Sequence, residues 1–245
     1  MSILGTYKPK RRWNLVESVF FILLVLTAGF VLLRSPLFEV RRIEVRGNQY
    51  LPEDEIVAVS GINTGTNIFK LNLHDAVVNL QLLPMVKKAR LVRNLPATVT
   101  IDIEERAPLG LLPAEDGFIE VDEEGVYLQK GNAATRGLPI ITGVKGEGIS
   151  LGQPVEADRL KETLAVLAGL PEEVRAQLSE IHCTEQGQFR VYTLAGVQCR
   201  LGGGDNIQDK GKVLSQVLKE LHDQEEKIKY IDLSYAGKPV FKYKR

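Results

Sequence analysis

"VKKARLVRNLPATVTIDIEER", residues 86–106, reads as a β-hairpin. Its second arm alternates Val99, Ile101 and Ile103 with Thr98, Thr100, Asp102 and Glu104, a period of two that puts the apolar residues on one sheet face. The cover for that face lies upstream. Pro52 followed by Glu53, Asp54 and Glu55 marks a helix start, with acids at the positive end of the dipole, and Gly61 ends the helix. Asn72 caps a second helix in which Leu73, Val77 and Leu80 recur on one side. Before both, "FEVRRIEVRGN" carries Phe38, Val40, Ile43 and Val45 as a strand that stops at Gly47-Asn48. The order strand, helix, helix, strand, strand predicts two helices packed on a three-stranded sheet.

Downstream, Pro108 and "LLPAEDG" mark the boundary to a second region of short strands and turns. "GFIEV" and "VYL" flank the turn at Asp122, Glu123, Glu124 and Gly125. "RLKETLAVLAGL" aligns Leu160, Leu164 and Leu167 on one helix side, and "IQDKGKVLSQVLKELHDQ" does the same with Leu214, Val217, Leu218 and Leu221. Between them "IHCTEQGQFRVYTLAGVQCRLG" reads as a three-strand meander with turns at Gln186-Gly187 and Ala195-Gly196. That register gathers Ile181, Tyr192, Leu194, Val197, Leu201 and both cysteines on a core face. Cys183 and Cys199 then sit on the first and third strands, about 9–10 Å apart, too far for a disulfide, and two buried free thiols are expected.

Upstream of everything, "VFFILLVLTAGFVLL" at residues 19–33 carries no charge, and Leu15 and Val16 extend it. A helix from Leu15 to Leu33 is roughly 28 Å long, close to the hydrocarbon thickness of a bilayer. Val19, Phe20, Leu24, Leu26, Phe30 and Leu33 are its expected membrane-spanning residues. Trp13 sits at the interface, Lys8, Lys10, Arg11 and Arg12 precede it, and this short basic flank places the N-terminus in the cytoplasm. "LLRSPLFEV" lacks a small-x-small cleavage pattern, so the helix is read as an uncleaved anchor and not a signal peptide. The expected divisions are a tail at 1–14, a transmembrane helix at 15–35, a first outer domain at 36–106 and a second at 107–245. The fold class is α+β.

Across its 245 residues the sequence balances 31 basic against 31 acidic side chains, so no net field draws it to nucleic acid. Its two cysteines do not make a disulfide scaffold.

The pieces in order resemble the bacterial cell-division protein family FtsQ, called DivIB in Gram-positive bacteria. "FEVRRIEVRGN", "LLPMV", "NLPATVTIDIEERAPLG", "FIEVDEEGVYL", "LPIITG", "SEI", "VQCRLGGG" and "KYIDLSYAGKPV" carry the resemblance. Met85 stands where the family usually has Trp. The resemblance implies a POTRA domain followed by a mainly antiparallel β domain with two flanking helices. It implies a non-enzymatic division protein that binds partner membrane proteins (FtsB or DivIC, and FtsL) and supports assembly of the septal peptidoglycan machinery. It also implies residence in the bacterial cytoplasmic membrane, enriched at the septum. Tyr235 matches the Tyr of the family's "DLRY" motif, with Ser234 replacing the Arg. The partner-binding stretch implied here comprises Tyr230, Leu233, Tyr235, Ala236, Gly237, Lys238, Pro239, Val240 and Phe241. No cofactor, metal, nucleic acid or small-molecule substrate is expected.

The polar residues form no recognisable catalytic constellation. The acids at Asp122-Glu123-Glu124 and at Glu225-Glu226 read as solvated side chains around a turn and at a helix end, not as a tuned pair. His74, His182 and His222 lack ligand spacing. "LGGGDN" is a strand-to-helix turn, because Gly211-Lys212-Val213 lacks the P-loop's Ser or Thr after Lys. The competing functional classes are a POTRA-bearing envelope transport component and an extracytoplasmic envelope hydrolase.

The closing run "KYIDLSYAGKPVFKYKR" alternates Ile231, Leu233 and Tyr235 with polar neighbours, then adds Val240, Phe241 and Tyr243. Lys238, Lys242, Lys244 and Arg245 are interleaved with that second apolar set, which discourages self-pairing and suits addition of a partner strand. The run is also readable as the last arm of a hairpin, and both readings can hold together.

Overall fold

The computed structural model describes residues 15–115, 117–132, 137–144, 146–147, 150–221, 228–235 and 239–244. The tail at 1–14, with Trp13 and its basic cluster, lies outside the described residues, as do His222, Glu225, Glu226 and Arg245. Helix α1 spans Leu15–Leu33, and its most apolar window has a mean hydropathy of 2.5. None of its residues is buried. A helix that is apolar on every side and uncovered has no stripe suited to water. The Thr27 hydroxyl in its middle donates back to the Leu23 carbonyl at 2.8 Å.

A 3-10 turn at Pro36–Phe38 leads into β1 (Arg42–Arg46), α2 (Glu53–Ser60), α3 (Leu73–Gln81), β2 (Val86–Asn94) and β3 (Thr98–Glu105). The sheet order is β1-β3-β2, with β1 parallel and β2 antiparallel to the central β3. The expected first strand is shorter than its sequence suggested. Phe38 and Val40 are even-numbered and Ile43 and Val45 odd, so one strand could not present all four on one face, and the chain turns before pairing begins. Gly47 then adopts a φ of 85°, and a side-chain carbon there would collide with the Ile103 carbonyl. Gly61 closes α2 in the left-handed region, and the Asn72 side chain accepts from the Asp75 N–H at the start of α3. Val99, Ile101 and Ile103 are buried beneath Ile56, Ala76 and Leu80 of the two helices. Each fully buried aliphatic side chain stabilises by about 1.5–3 kcal/mol.

The remaining elements are β4 (Gly110–Ala114), β5 (Gly117–Val121), β6 (Tyr127–Gly131), β7 (Ile140–Thr142), β8 (Gly146–Glu147), β9 (Glu156–Ala157), α4 (Leu160–Gly169), α5 (Glu172–Arg175), β10 (Leu178–Cys183), β11 (Phe189–Thr193), β12 (Gln198–Gly202), α6 (Ile207–Glu220), β13 (Ile228–Asp232) and β14 (Val240–Tyr243). Nine of the strands form one sheet in the order β14-β13-β12-β11-β10-β7-β4-β5-β6. Most of its pairs are antiparallel, while β12–β13, β10–β7 and β4–β7 run parallel. The parallel step from β12 to β13 needs a crossover, and α6 provides it.

Strand β4 and the faces of the meander differ from the sequence expectation. "LLPAEDG" was expected to be a connecting boundary, yet Gly110–Ala114 is strand β4, with Leu111 and Leu112 buried. Proline lacks a donor N–H. Pro113 is tolerated because β4 pairs with β7 only at Leu111, which leaves that side of Pro113 without a ladder. In the meander, Tyr192 and Leu194 leave the core face, and Leu194 is 70% exposed. Ile181 and Cys199 both oppose Val191, so the inward residues of β11 are Phe189, Val191 and Thr193. Both cysteines are buried, and no disulfide joins them.

The first domain meets the second through an apolar contact and a charge cluster. Met85, with Leu51 against it, packs on Val126 and Leu128. Arg106 Nη1 donates to Asp122 Oδ2 at 2.6 Å and to Glu124 Oε2 at 2.7 Å. Lys87 Nζ lies 3.2 Å from Glu123 and 3.0 Å from Glu124. The expectation of solvated acids therefore fails at Asp122, which is 2% exposed. Its Oδ1 also accepts from the N–H groups of Glu124 and Val126, so both of its oxygens are engaged by the turn and the ion pair.

The hydrogen bond from Arg106, then that from Lys87, hold the Glu124 carboxyl below the usual carboxylate range. A depressed folded value means the contribution is complete above the unfolded value and is lost as pH falls through the folded one. Glu124, followed by Glu123, raises Lys87, whose contribution is full below its unfolded value and fades only in strong alkali. The melting temperature should therefore hold from neutral pH down to about pH 5 and fall below it, as the solution passes the ordinary carboxyl range. Replacing Glu124 by Gln should shrink that acid loss.

Candidate functional site: the terminal sheet edge

The pairing registers align one apolar row across six strands, Ile141, Ile181, Val191, Cys199, Ile231 and Phe241. The first five are fully buried under α4 and α6. Phe241 is 36% exposed, because its strand, β14, is the outermost of the described strands in the sheet. A core row that reaches the rim of its sheet leaves apolar surface beside unpaired backbone groups, the combination that strand addition uses.

The opposite face carries two polar rows. One runs Glu180, Tyr192, Gln198, Tyr230, Lys242 and the other His182, Arg190, Arg200, Asp232, Val240. Tyr192 and Gln198 are hydrogen-bonded at 2.9 Å. The Arg200 guanidinium lies 4.1 Å from the Tyr230 ring centroid, and its Nη1 is 3.7 Å from Asp232. Its buried Nε has no hydrogen-bond partner among the described residues. Arg200 was not singled out in the sequence, since its neighbours come from β13 through a parallel pairing that no local period reveals.

The implied partner-binding residues divide by burial. Tyr235 is 88% exposed and Val240 61% exposed, while Tyr230 and Pro239 are half-buried. Leu233 is buried in the core, so its side chain supports the edge from beneath. Ala236, Gly237 and Lys238 lie outside the described residues. The closing run does fold back as a hairpin arm, β14 antiparallel on β13, and that arm is itself the outer strand of the sheet. The sheet's other outer strand is partly covered. Tyr127 of β6 exchanges backbone hydrogen bonds with Gln153 and Gly152, and Val126 bridges to Pro154.

Two of the remaining polar suspects, the "LGGGDN" loop and His182, have structural partners. The Lys210 ammonium donates to the Leu201 and Gly203 carbonyls at 2.8 and 3.3 Å, so the chain's own cation fills the loop at "LGGGDN". His182 Nδ1 lies 2.8 Å from the Thr142 hydroxyl, which also bonds Glu180. Among the described residues, no group of three or more His, Cys, Asp or Glu is placed to hold a metal.

These features define a class: a two-domain α+β protein behind an apolar helix long enough to cross a membrane, whose first domain is of POTRA type. A family model described as "POTRA domain, FtsQ-type" matches residues 38–106, and one described as "Cell division protein FtsQ/DivIB, C-terminal" matches residues 111–234. The chain belongs to the FtsQ/DivIB family of cell division proteins. It is 26% identical over 241 residues to cell division protein DivIB of Clostridium botulinum, covering 96% of this chain and 93% of that one. It is 29% identical over 243 residues to cell division protein FtsQ of Geotalea daltonii, at 95% and 87% coverage. The solved major extracytoplasmic domain of DivIB from Geobacillus stearothermophilus aligns with 49% of this chain and 98% of its own, at 21% identity and a TM-score of 0.34. The second family match ends at residue 234, before β14.

Proposed function

We propose that this chain is a non-enzymatic, single-pass cell-division protein that docks partner membrane division proteins, of the FtsB or DivIC and FtsL type, by strand addition at β14. The observation that carries the reading is Phe241, where a buried apolar row reaches an uncovered sheet edge. Tyr230, Tyr235, Pro239, Val240 and Phe241 form the docking surface, with Leu233 beneath it and Ala236, Gly237 and Lys238 joining β13 to β14. Lys242 and Lys244 guard against pairing between copies.

In this reading residues 1–14 form a cytoplasmic tail and 15–35 the membrane helix. Val19, Phe20, Leu24, Leu26, Phe30 and Leu33 span the bilayer. The POTRA domain occupies 36–106 and the partner-binding domain 107–245, both outside the cytoplasmic membrane, and the protein concentrates at the division septum to support assembly of the peptidoglycan-synthesising machinery. Asp122, the one acid of its cluster that is buried, is held on both oxygens by Arg106 and by its own turn, which favours a binding protein over a hydrolase.

The test joins topology to cell biology. A reagent that cannot cross membranes should label a tag at the C-terminus in intact cells, and the tagged chain should gather at the septum and restore division to cells lacking their own copy. Labelling only after the cells are opened, or restored division with an even membrane distribution, would refute the reading.

A further inference from the structure

The exit of α1 is tied to the POTRA domain by side chain and backbone. Asn67 Nδ2 donates to the Leu33 carbonyl at 2.8 Å. The N–H groups of Val40 and Ile68 donate to Thr66 and Phe38 at 2.9 and 2.8 Å, and the Phe38 and Phe69 rings lie 5.1 Å apart. The tip of the β2–β3 hairpin joins the same end. The Arg41 N–H donates to the Ala97 carbonyl at 2.8 Å, and the Arg93 side chain donates to the Ile68 and Leu71 carbonyls at 2.9 and 2.7 Å. Three separate segments, 34–41, 63–71 and 94–97, are therefore held together where the apolar helix ends.

Each segment leaves one large apolar side chain in the open. Leu37 is 46% exposed, Phe69 44% and Leu95 59%. All three belong to the segments gathered at the end bonded to α1, and among the described residues Phe69 keeps only one ring contact, with Phe38. Exposed Arg34, Arg41 and Lys70 stand among them, against Glu39 as the one carboxylate in these segments. Arg34 lies 4.3 Å from the Phe30 ring centroid, a cation stacked on an aromatic at the last turn of the helix. Apolar side chains interspersed with cations suit the headgroup layer of a bilayer, which takes the former into its acyl boundary and pairs the latter with phosphate.

We propose that this end of the POTRA domain is a membrane-docking face. Leu37, Phe69 and Leu95 enter the headgroup region of the leaflet from which α1 emerges, and Arg34, Arg41 and Lys70 bind its anionic phospholipids. The contact braces the domain against the bilayer so that the second domain is carried at a set height. The occupant is lipid and not a protein because the face is hydrogen-bonded to the carbonyl that ends the membrane helix. The inference rests on the proposed crossing of α1.

The test uses the full chain in vesicles of phosphatidylglycerol and phosphatidylcholine, with Trp13 replaced by Phe. One tryptophan is then introduced at a time, as Phe69→Trp, Leu95→Trp, Phe20→Trp or Leu82→Trp. Leu82 is 76% exposed and belongs to the C-cap of α3, so it reports a water-facing site. Lipids brominated near the headgroup should quench Phe69→Trp and Leu95→Trp and shift their emission to shorter wavelength, with Leu82→Trp unaffected. Reversing Arg41 and Lys70 to Glu should release the face, since each cation beside an anionic surface strengthens association roughly fivefold. If Phe20→Trp is quenched while Phe69→Trp and Leu95→Trp remain as open to water as Leu82→Trp, the docking face is refuted and the membrane crossing survives. Protection of Phe69→Trp and Leu95→Trp only after a partner protein is added refutes lipid as the occupant. Absence of quenching at Phe20→Trp overturns the crossing itself, and the docking face with it.

Discussion

Phe241→Asp, and separately Tyr235→Asp, should each weaken capture of the partner by about 30-fold or more while the domain keeps its melting temperature. Loss of a central aromatic contact at an interface costs 2 kcal/mol or more, equivalent to that factor. The fold should be spared because Tyr235 is 88% exposed and Phe241 36% exposed, with β14 adding a strand to a core already completed by Ile228 and Ile231, both fully buried. For Phe241 the expected loss has a specific origin. Asp would place a charge at the end of the row formed by Ile141, Ile181, Val191, Cys199 and Ile231, where an incoming strand would otherwise set its own apolar side chain. Co-purification of the full chain with FtsB- or DivIC-type and FtsL-type partners measures the effect. Unchanged capture by both variants would show that the partner binds elsewhere.

Arg106→Ala should produce the largest loss of stability away from the cores. Arg106 and Asp122 side chains are 17% and 3% exposed, and removing one partner of a buried pair typically costs about 3–5 kcal/mol, because the remaining charge has neither water nor counter-ion. For a protein of this size each kcal/mol lowers the melting temperature by about 2–4 °C, so a fall of about 10 °C is expected. Adding Asp122→Asn to Arg106→Ala should recover part of it. An amide removes the stranded charge, and its oxygen can still accept from the Glu124 and Val126 N–H groups. A single variant that melts within about 1 °C of the parent would mean that water already shields Asp122.

The sequence exposed most clearly what rests on local periodicity. The β2–β3 hairpin, the caps at Gly61 and Asn72, and the apolar stripes of α4 and α6 all depend on neighbours within a few residues, and the structure places them as expected. Elements that depend on distant partners were harder to read. Pro113 hid β4, because whether a proline can enter a strand depends on which side lacks a neighbouring ladder. Tyr192 and Leu194 were put on the core face because parity in β11 was counted from the turns, while the actual faces follow from Val191 lying between Ile181 and Cys199. Asp122 looked solvated beside a glycine turn, and its buried partner comes from the other domain. Helix α5 is four residues long, too short for a period to register.

The site was legible in outline for the same reason. Alternation near residue 231 announced a strand and the lysines announced a guarded edge, but neither could tell that Phe241 continues a buried row or that Leu233 turns inward. Those facts come from the register between β13 and β14. The neighbourhood of Arg200 became visible only when β12 and β13 were found to pair in parallel.

The central claim is that another polypeptide adds to the sheet at β14. Amide hydrogen exchange on the full chain in bilayers, with and without the partner's extracytoplasmic segment, tests it directly. The claim predicts that exchange slows at residues 240–243 on partner addition, while the amides of β6 at the opposite edge keep their rates. Unaltered exchange at 240–243 in a sample where the partner is demonstrably bound would contradict it.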